Sequence, residues 1–245
     1  MPLAKARPNL ALYMTGILVL AMAFYGPIFQ PAGYHAFADQ RVLFGIPHIG
    51  DVVSNLGFLL VAAYGARRMQ RRDPAAILFI VALALTAFGS TWYHLAPDDA
   101  RLVWDRLPIA LACAALLAGA MPKPKLVLPA LTVTAALSVW WWVMTGDLRF
   151  YLLIQVAPLV LVPLLQWQYR AEAAQRRAFG LAIVLYVLAK LCEVADQSMF
   201  AALGLVSGHT MKHLLATLAA LVLAHHLCTT TSKAFASVLP GLRSA

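Results

Sequence analysis

Residues 207–227 read Ser-Gly-His-Thr-Met-Lys-His-Leu-Leu-Ala-Thr-Leu-Ala-Ala-Leu-Val-Leu-Ala-His-His-Leu. After Lys212 no charged side chain interrupts the run, and its length matches the roughly 20 residues that cross a bilayer as a helix. His209 and His213 are four apart, so one face of that helix carries both imidazoles about one turn from each other. Such a pair can grip one metal ion or can pack against polar groups in a bundle. Metal chemistry requires a third histidine, a carboxylate and a hydroxyl at the same depth.

The rest of the chain has the same character. Of 245 residues 62% are hydrophobic and 12% charged, and the mean hydropathy is +0.77. That leaves too little polar surface for a water-soluble domain and predicts an all-α integral membrane protein. The net charge of +9 sits in short segments between apolar runs, where positive charge orients a membrane protein, so nucleic-acid binding is not expected. Cys113, Cys192 and Cys228 lie singly inside apolar runs and predict neither a disulfide framework nor a thiolate metal site.

Eight spans are expected, at residues 10–30, 51–67, 75–94, 101–121, 125–145, 148–168, 178–200 and 207–228, all within one domain over 1–245. Lys5 and Arg7 before the first run resemble a signal peptide, but no small-x-small pattern closes it, and a retained helix is expected. Lys5, Arg7, Arg67, Arg68, Arg71, Arg72, Lys123, Lys125, Arg170, Arg176, Arg177, Lys233 and Arg243 fall at one end of the array, against Arg41 and Arg149 at the other. The positive-inside rule then places both termini in the cytoplasm and the loops near residues 34–50, 95–100 and 203–208 outside. Short basic loops of this style point to a bacterial inner membrane.

Intramembrane polar residues are costly and usually face partners inside the bundle. Ser90 and His94 share one face at the outer end of the third span. Asp105 follows a tight connection containing Pro97 and should lie level with His94. Together with His209 and His213, three histidines, an aspartate and a serine converge in the outer half of the membrane. Three neutral imidazoles suit zinc and leave a fourth coordination position open. Asp105 could then act as proton acceptor for a water, and Ser90 as a hydrogen-bond donor to a developing oxyanion. Equally, Asp105 could form an ion pair with Arg106 or Lys212. Lys190, Glu193 and Asp196 form a second polar set, read either as an ion-pair network binding the seventh span to the fourth and eighth, or as a support or ligand of the metal. His225 and His226 lie roughly 20 Å along the helix from His209 and are read as interfacial. Trp140, Trp141 and Trp142 are read as an aromatic belt. His35, His48 and Asp39 belong to an outer loop that could cover the site.

At these residues the sequence resembles the alkaline ceramidase family, within the seven-helix membrane hydrolases that also include the progestin and adiponectin receptor family. The resemblance rests on Ser-x-x-x-His as Ser90 and His94, an aspartate eleven residues later as Asp105 in Asp-x-Leu-Pro, His-x-x-x-His as His209 and His213, and an early Ser-Asn within Asp51-Val52-Val53-Ser54-Asn55. It implies a seven-helix unit over residues 51–228, with the span at 10–30 as an N-terminal addition. It also implies zinc (Zn2+) on the three histidines, proton handling by Asp105, assistance by Ser90, and hydrolysis of the amide of ceramide or a related N-acyl membrane lipid to a long-chain base and a fatty acid. The family's acidic calcium cluster is reduced here to Asp39 and Asp51, so calcium is not carried over. The alternative is a receptor or lipid sensor of the progestin and adiponectin type, and the short tails and inner loops favour the enzyme. A transporter ranks last, because the cytoplasmic halves of the spans are largely apolar.

Overall fold

The computed structural model describes residues 9–70 and 72–229. Lys5, Arg7, Arg71, Lys233 and Arg243, used above to orient the chain, lie outside the described residues. The order of elements is α1 (Leu10–Tyr25), a small antiparallel hairpin of β1 (Val42–Leu43) and β2 (Ile46–Pro47), α2 (Ile49–Ser54), α3 (Leu56–Arg68), α4 (Pro74–Leu95), α5 (Asp99–Gly119), α6 (Pro124–Thr145), α7 (Arg149–Gln168), α8 (Ala173–Val194), α9 (Asp196–Leu203) and α10 (Gly208–Thr229).

Local chemistry sets the helix boundaries. Asp73 caps α4, accepting from the Ala75 N–H at 2.8 Å, with Pro74 in the first turn where its missing N–H costs nothing. Asp98 caps α5 through the Arg101 N–H at 2.7 Å. Gly146 ends α6 in the left-handed region at φ 72°. The connections from α3 through α8 are short, so successive long helices run antiparallel. α4 packs most extensively on α5, and α10 on α8. The far end of the bundle closes where the Gln70 N–H reaches the Cys228 carbonyl at 3.1 Å.

Among the described residues six segments are long and apolar enough to cross a membrane: Ile49–Arg68, α4, α5, α6, α7 and α10. A seventh is obtained if α8 and α9 count as one span, although they meet at a 79° bend. This fits an integral membrane protein and gives six or seven candidate spans among the described residues, where eight are expected. The first expected span ends early, because Gly26-Pro27 stops α1 after 16 residues, about 24 Å against a hydrocarbon core of roughly 30 Å. The expected span at 178–200 starts earlier, at Ala173, and breaks at Ala195.

Charge is divided between the two ends. Arg67, Arg68, Arg72, Lys123, Lys125, Arg170, Arg176 and Arg177 cluster at one end, while Arg101 joins Arg41 and Arg149 at the other. Each of the latter three is paired with an aspartate: Arg41 with Asp39, Arg101 with Asp98, and Arg149 with Asp147. The Asp147 pair also fixes α1. One Asp147 oxygen accepts the Ile28 N–H at 3.1 Å, and the Arg149 guanidinium donates to the last carbonyls of α1, those of Met22 and Ala23, at 3.2 and 3.3 Å.

Burial alone would raise the Asp147 pKa, but the Arg149 guanidinium and the Arg149 and Ile28 N–H groups reverse that and hold it at about 2. The stabilisation is therefore complete above the ordinary carboxylate value near 3.8 and fades as pH falls through about 2. Thermal unfolding in detergent should show a constant gap between wild type and Asp147→Asn from pH 8 to pH ~4, closing as the pH is lowered further.

Candidate metal centre

The sequence separates His94 from His209 by 115 positions, yet the fold stacks them. His94 occupies the last turn of α4, and His209 and His213 occupy the first two turns of α10. Each offers a nitrogen within 4.8 Å of the others, and the ring centroids lie 4.8 to 5.1 Å apart at steep angles. All three are buried, at 1%, 7% and 4% exposure. The His94 Nδ1 and the His209 Nε2 have no hydrogen-bond partner. Convergent, buried and unpaired imidazole nitrogens can hold a metal ion.

His213 is oriented from behind. Its Nδ1 lies 3.1 Å from the Asp51 carbonyl and 2.8 Å from the Ser54 hydroxyl, which itself donates to that carbonyl at 3.0 Å. A carbonyl only accepts, so Nδ1 carries the proton and Nε2 keeps a lone pair that could serve a metal ion. Asn55 closes the same turn by donating to the Asp51 carbonyl at 2.9 Å. The early Ser-Asn pair thus has a physical purpose that its position in the sequence does not reveal. The Asp51 carboxylate ties the start of α10 by accepting from Thr210 at 2.6 Å and Ser207 at 3.1 Å.

Ser90 and Asp105 meet because α4 and α5 nearly touch. A Cβ on Gly89 would lie 1.9 Å from the Trp104 carbonyl oxygen, so only glycine permits this approach. Ser90 consequently faces Asp105, and both line one cavity with His213. Among the described residues Asp105 has no ion pair within 4.0 Å. Lys212 bonds Glu193 at 2.8 Å instead, and Lys190 bonds the same carboxylate from its own helix. This Lys190–Glu193–Lys212 set joins α8 to α10, the network reading of the second polar group. It does not extend to α5, because Arg106 turns away from it onto the Trp142 ring.

Other expectations change. Asp196 belongs to neither the network nor the histidine group: its two oxygens accept the His209 N–H at 2.7 Å and the Ala38 N–H at 2.9 Å. Trp140 and Trp141 are exposed as a belt requires, but Trp142 is buried. His225 stacks on Tyr64 and contacts its hydroxyl at 2.6 Å, far from the metal centre. The outer loop does cover the site. His35 pairs with the Tyr93 hydroxyl and Asp99, and His48 anchors to the Asp39 carbonyl at 2.7 Å. Burial opposes ionisation of Asp39, but the Arg41 side chain and N–H and the Gly50 N–H outweigh it and hold its pKa below the usual carboxylate value. Sequence reasoning misses the residue that caps the centre, Phe37, whose ring lies 4.6 Å from that of His94 and 4.5 Å from that of His209. A single aromatic in a loop carries no periodicity to mark it.

Below the histidines the cavity encloses about 330 Å³. Its upper end is polar, with Ser90, Asp105, Arg106 and His213, and its lower walls are apolar, with Phe79, Leu116, Phe179 and Leu223. From Ser90 to Phe79 along α4 is about 16 Å. No family model, curated protein or solved structure matches the chain.

Two substitutions test this geometry. Ser54→Ala should leave the protein folded and weaken metal retention against a chelator by about 10- to 100-fold. Gly89→Ala should destabilise by about 1–3 kcal/mol, whereas Gly180→Ala, with no atom within 4 Å of its Cβ, should be neutral or slightly stabilising in the same thermal assay.

Proposed function

We propose that the protein is a zinc-dependent membrane amidohydrolase that cleaves an N-acyl lipid, ceramide or a relative, into a fatty acid and an amine-bearing base. The observation that carries this reading is a juxtaposition: three convergent histidines, one of which, His213, lines with Ser90 and Asp105 the polar end of a lipid-length cavity whose lower walls are apolar. An all-imidazole donor set with unpaired, buried nitrogens suits zinc. Bound by His94, His209 and His213, zinc supplies Lewis acidity that polarises an amide carbonyl and acidifies water at neutral pH.

The chain's own groups do the rest. The apolar walls hold the acyl chain and bring the amide level with Ser90 and Asp105. Asp105 accepts a proton from the water that attacks the carbonyl carbon, and Ser90 donates a hydrogen bond to the carbonyl oxygen as its negative charge grows. As the C–N bond breaks, Asp105 returns the proton to the departing nitrogen. Phe37 and its loop exclude bulk water from above. Access from the side is supported by α7 and α8, which contribute cavity walls yet contact one another only lightly. In this reading the seven-helix unit spans residues 51–228 and α1, which packs on α7, is the N-terminal addition. Both termini are cytoplasmic, and the centre faces the outer side of a bacterial inner membrane.

Metal analysis and lipid cleavage by purified protein test the proposal. Wild type should carry about one zinc per chain and release fatty acid from N-acyl lipids. His213→Ala should lose both properties. Asp105→Asn should retain zinc while turnover falls by about 10²- to 10⁴-fold; normal turnover in that variant would show that Asp105 is not the base.

A further inference from the structure

Arg106 is a buried cation that the mechanism does not use. It is 3% exposed, and its guanidinium lies 3.9 Å from the centroid of the Trp142 ring and 5.3 Å from those of Tyr34 and Tyr151. Its Nη2 donates to the Gln30 side-chain oxygen at 2.8 Å, while its Nη1 is buried without any partner. Among the described residues no carboxylate lies within 4.0 Å of it, although Asp105 and Glu193 line the same cavity. Aromatic faces offset part of the cost of burying this charge. They do not satisfy the free N–H, and an unpaired guanidinium in an apolar interior is a strong and geometrically specific attractor for a planar oxyanion.

Its position defines which part of a lipid it meets. Arg106 follows Asp105 in α5 and lines the polar end of the cavity, above the apolar walls that suit an acyl chain. A lipid whose amide lies at Ser90 and Asp105 therefore carries its head group into the Arg106 region. We infer that Arg106 recognises a carboxylate on the head of the substrate, so that the preferred lipids are N-acyl amino acids rather than neutral N-acyl lipids. This rests on the amidohydrolase reading for the identity of the scissile bond and narrows it to an anionic substrate class.

The test separates binding from turnover. Zinc-loaded full-length protein is titrated, by tryptophan fluorescence, with two uncleavable probes that differ only in the head, N-hexadecylsulfonylglycine and N-hexadecylsulfonylethanolamine. Wild type should bind the carboxylate probe about tenfold or more tightly. Arg106→Gln should lose that preference and keep its affinity for the neutral probe, while Arg106→Lys should retain only part of the preference. Equal affinities in wild type would overturn the inference without requiring any variant, and so would a preference that survives Arg106→Gln. Palmitate that competes in an Arg106-dependent way, in a wild type that does not distinguish the two heads, would assign Arg106 to the fatty-acid product and overturn the substrate class. Hydrolysis of N-palmitoylglycine and N-palmitoylethanolamine is scored separately. Cleavage of neither, with the binding preference intact, would remove the hydrolase reading and leave the anion site. Cleavage of both at equal efficiency, with equal probe binding, would do the reverse.

Discussion

Unpaired imidazole nitrogens in an apolar interior are the constraint on which the rest of the structure depends. A buried polar atom left without a partner costs about 1–3 kcal/mol, and here the His94 Nδ1 and the His209 Nε2 are both in that state. Around them much of the neighbouring polar framework is bonded, although the Asp51 Oδ2 and the Asn55 Oδ1 are also without partners. The Asp51 carbonyl serves Ser54, Asn55 and His213, and the Asp51 carboxylate serves Ser207 and Thr210. Open imidazole lone pairs that converge from two helices are the arrangement that a metal ion could satisfy.

Depth was legible from the sequence because it is one-dimensional. Counting helical rise from each loop suffices to place His94, Asp105, His209 and His213 at the same end of the bundle, and the structure brings the three histidines together there. Lateral placement was less accessible. That Arg106 leaves Glu193 for Trp142, or that Ser54 backs His213, depends on the rotation of each helix about its axis, and near-uniform hydrophobicity around these helices erases that signal. Gly89 shows the same limit. Its residue type hints at a close approach, but not that the approaching atom is the Trp104 carbonyl oxygen.

Helix boundaries depart from the expected spans where backbone chemistry overrides hydropathy. Residues 10–30 are apolar enough to continue, yet Gly26 adopts φ 90° and the following segment turns back over the bundle. At Ala195 the break is set by tertiary contacts rather than by a local breaker residue. A Cβ on Gly208 would lie 2.1 Å from the Cys192 carbonyl oxygen and 2.6 Å from the Asp196 Cα, so α10 begins pressed into the bend. A sliding hydropathy window cannot register a contact between residues a dozen positions apart.

That bend also has a mechanical consequence. Through its two oxygens Asp196 holds the backbone of the covering loop at Ala38 and the backbone of α10 at His209, while Phe37, next to Ala38, rests on the His94 and His209 rings. Cover and α10 are therefore bridged by one carboxylate, in addition to the bonds that anchor each of them separately. A displacement of the aromatic cap would be transmitted through Asp196 to the first turn of α10, so the positions of the roof and of His209 are coupled instead of independent.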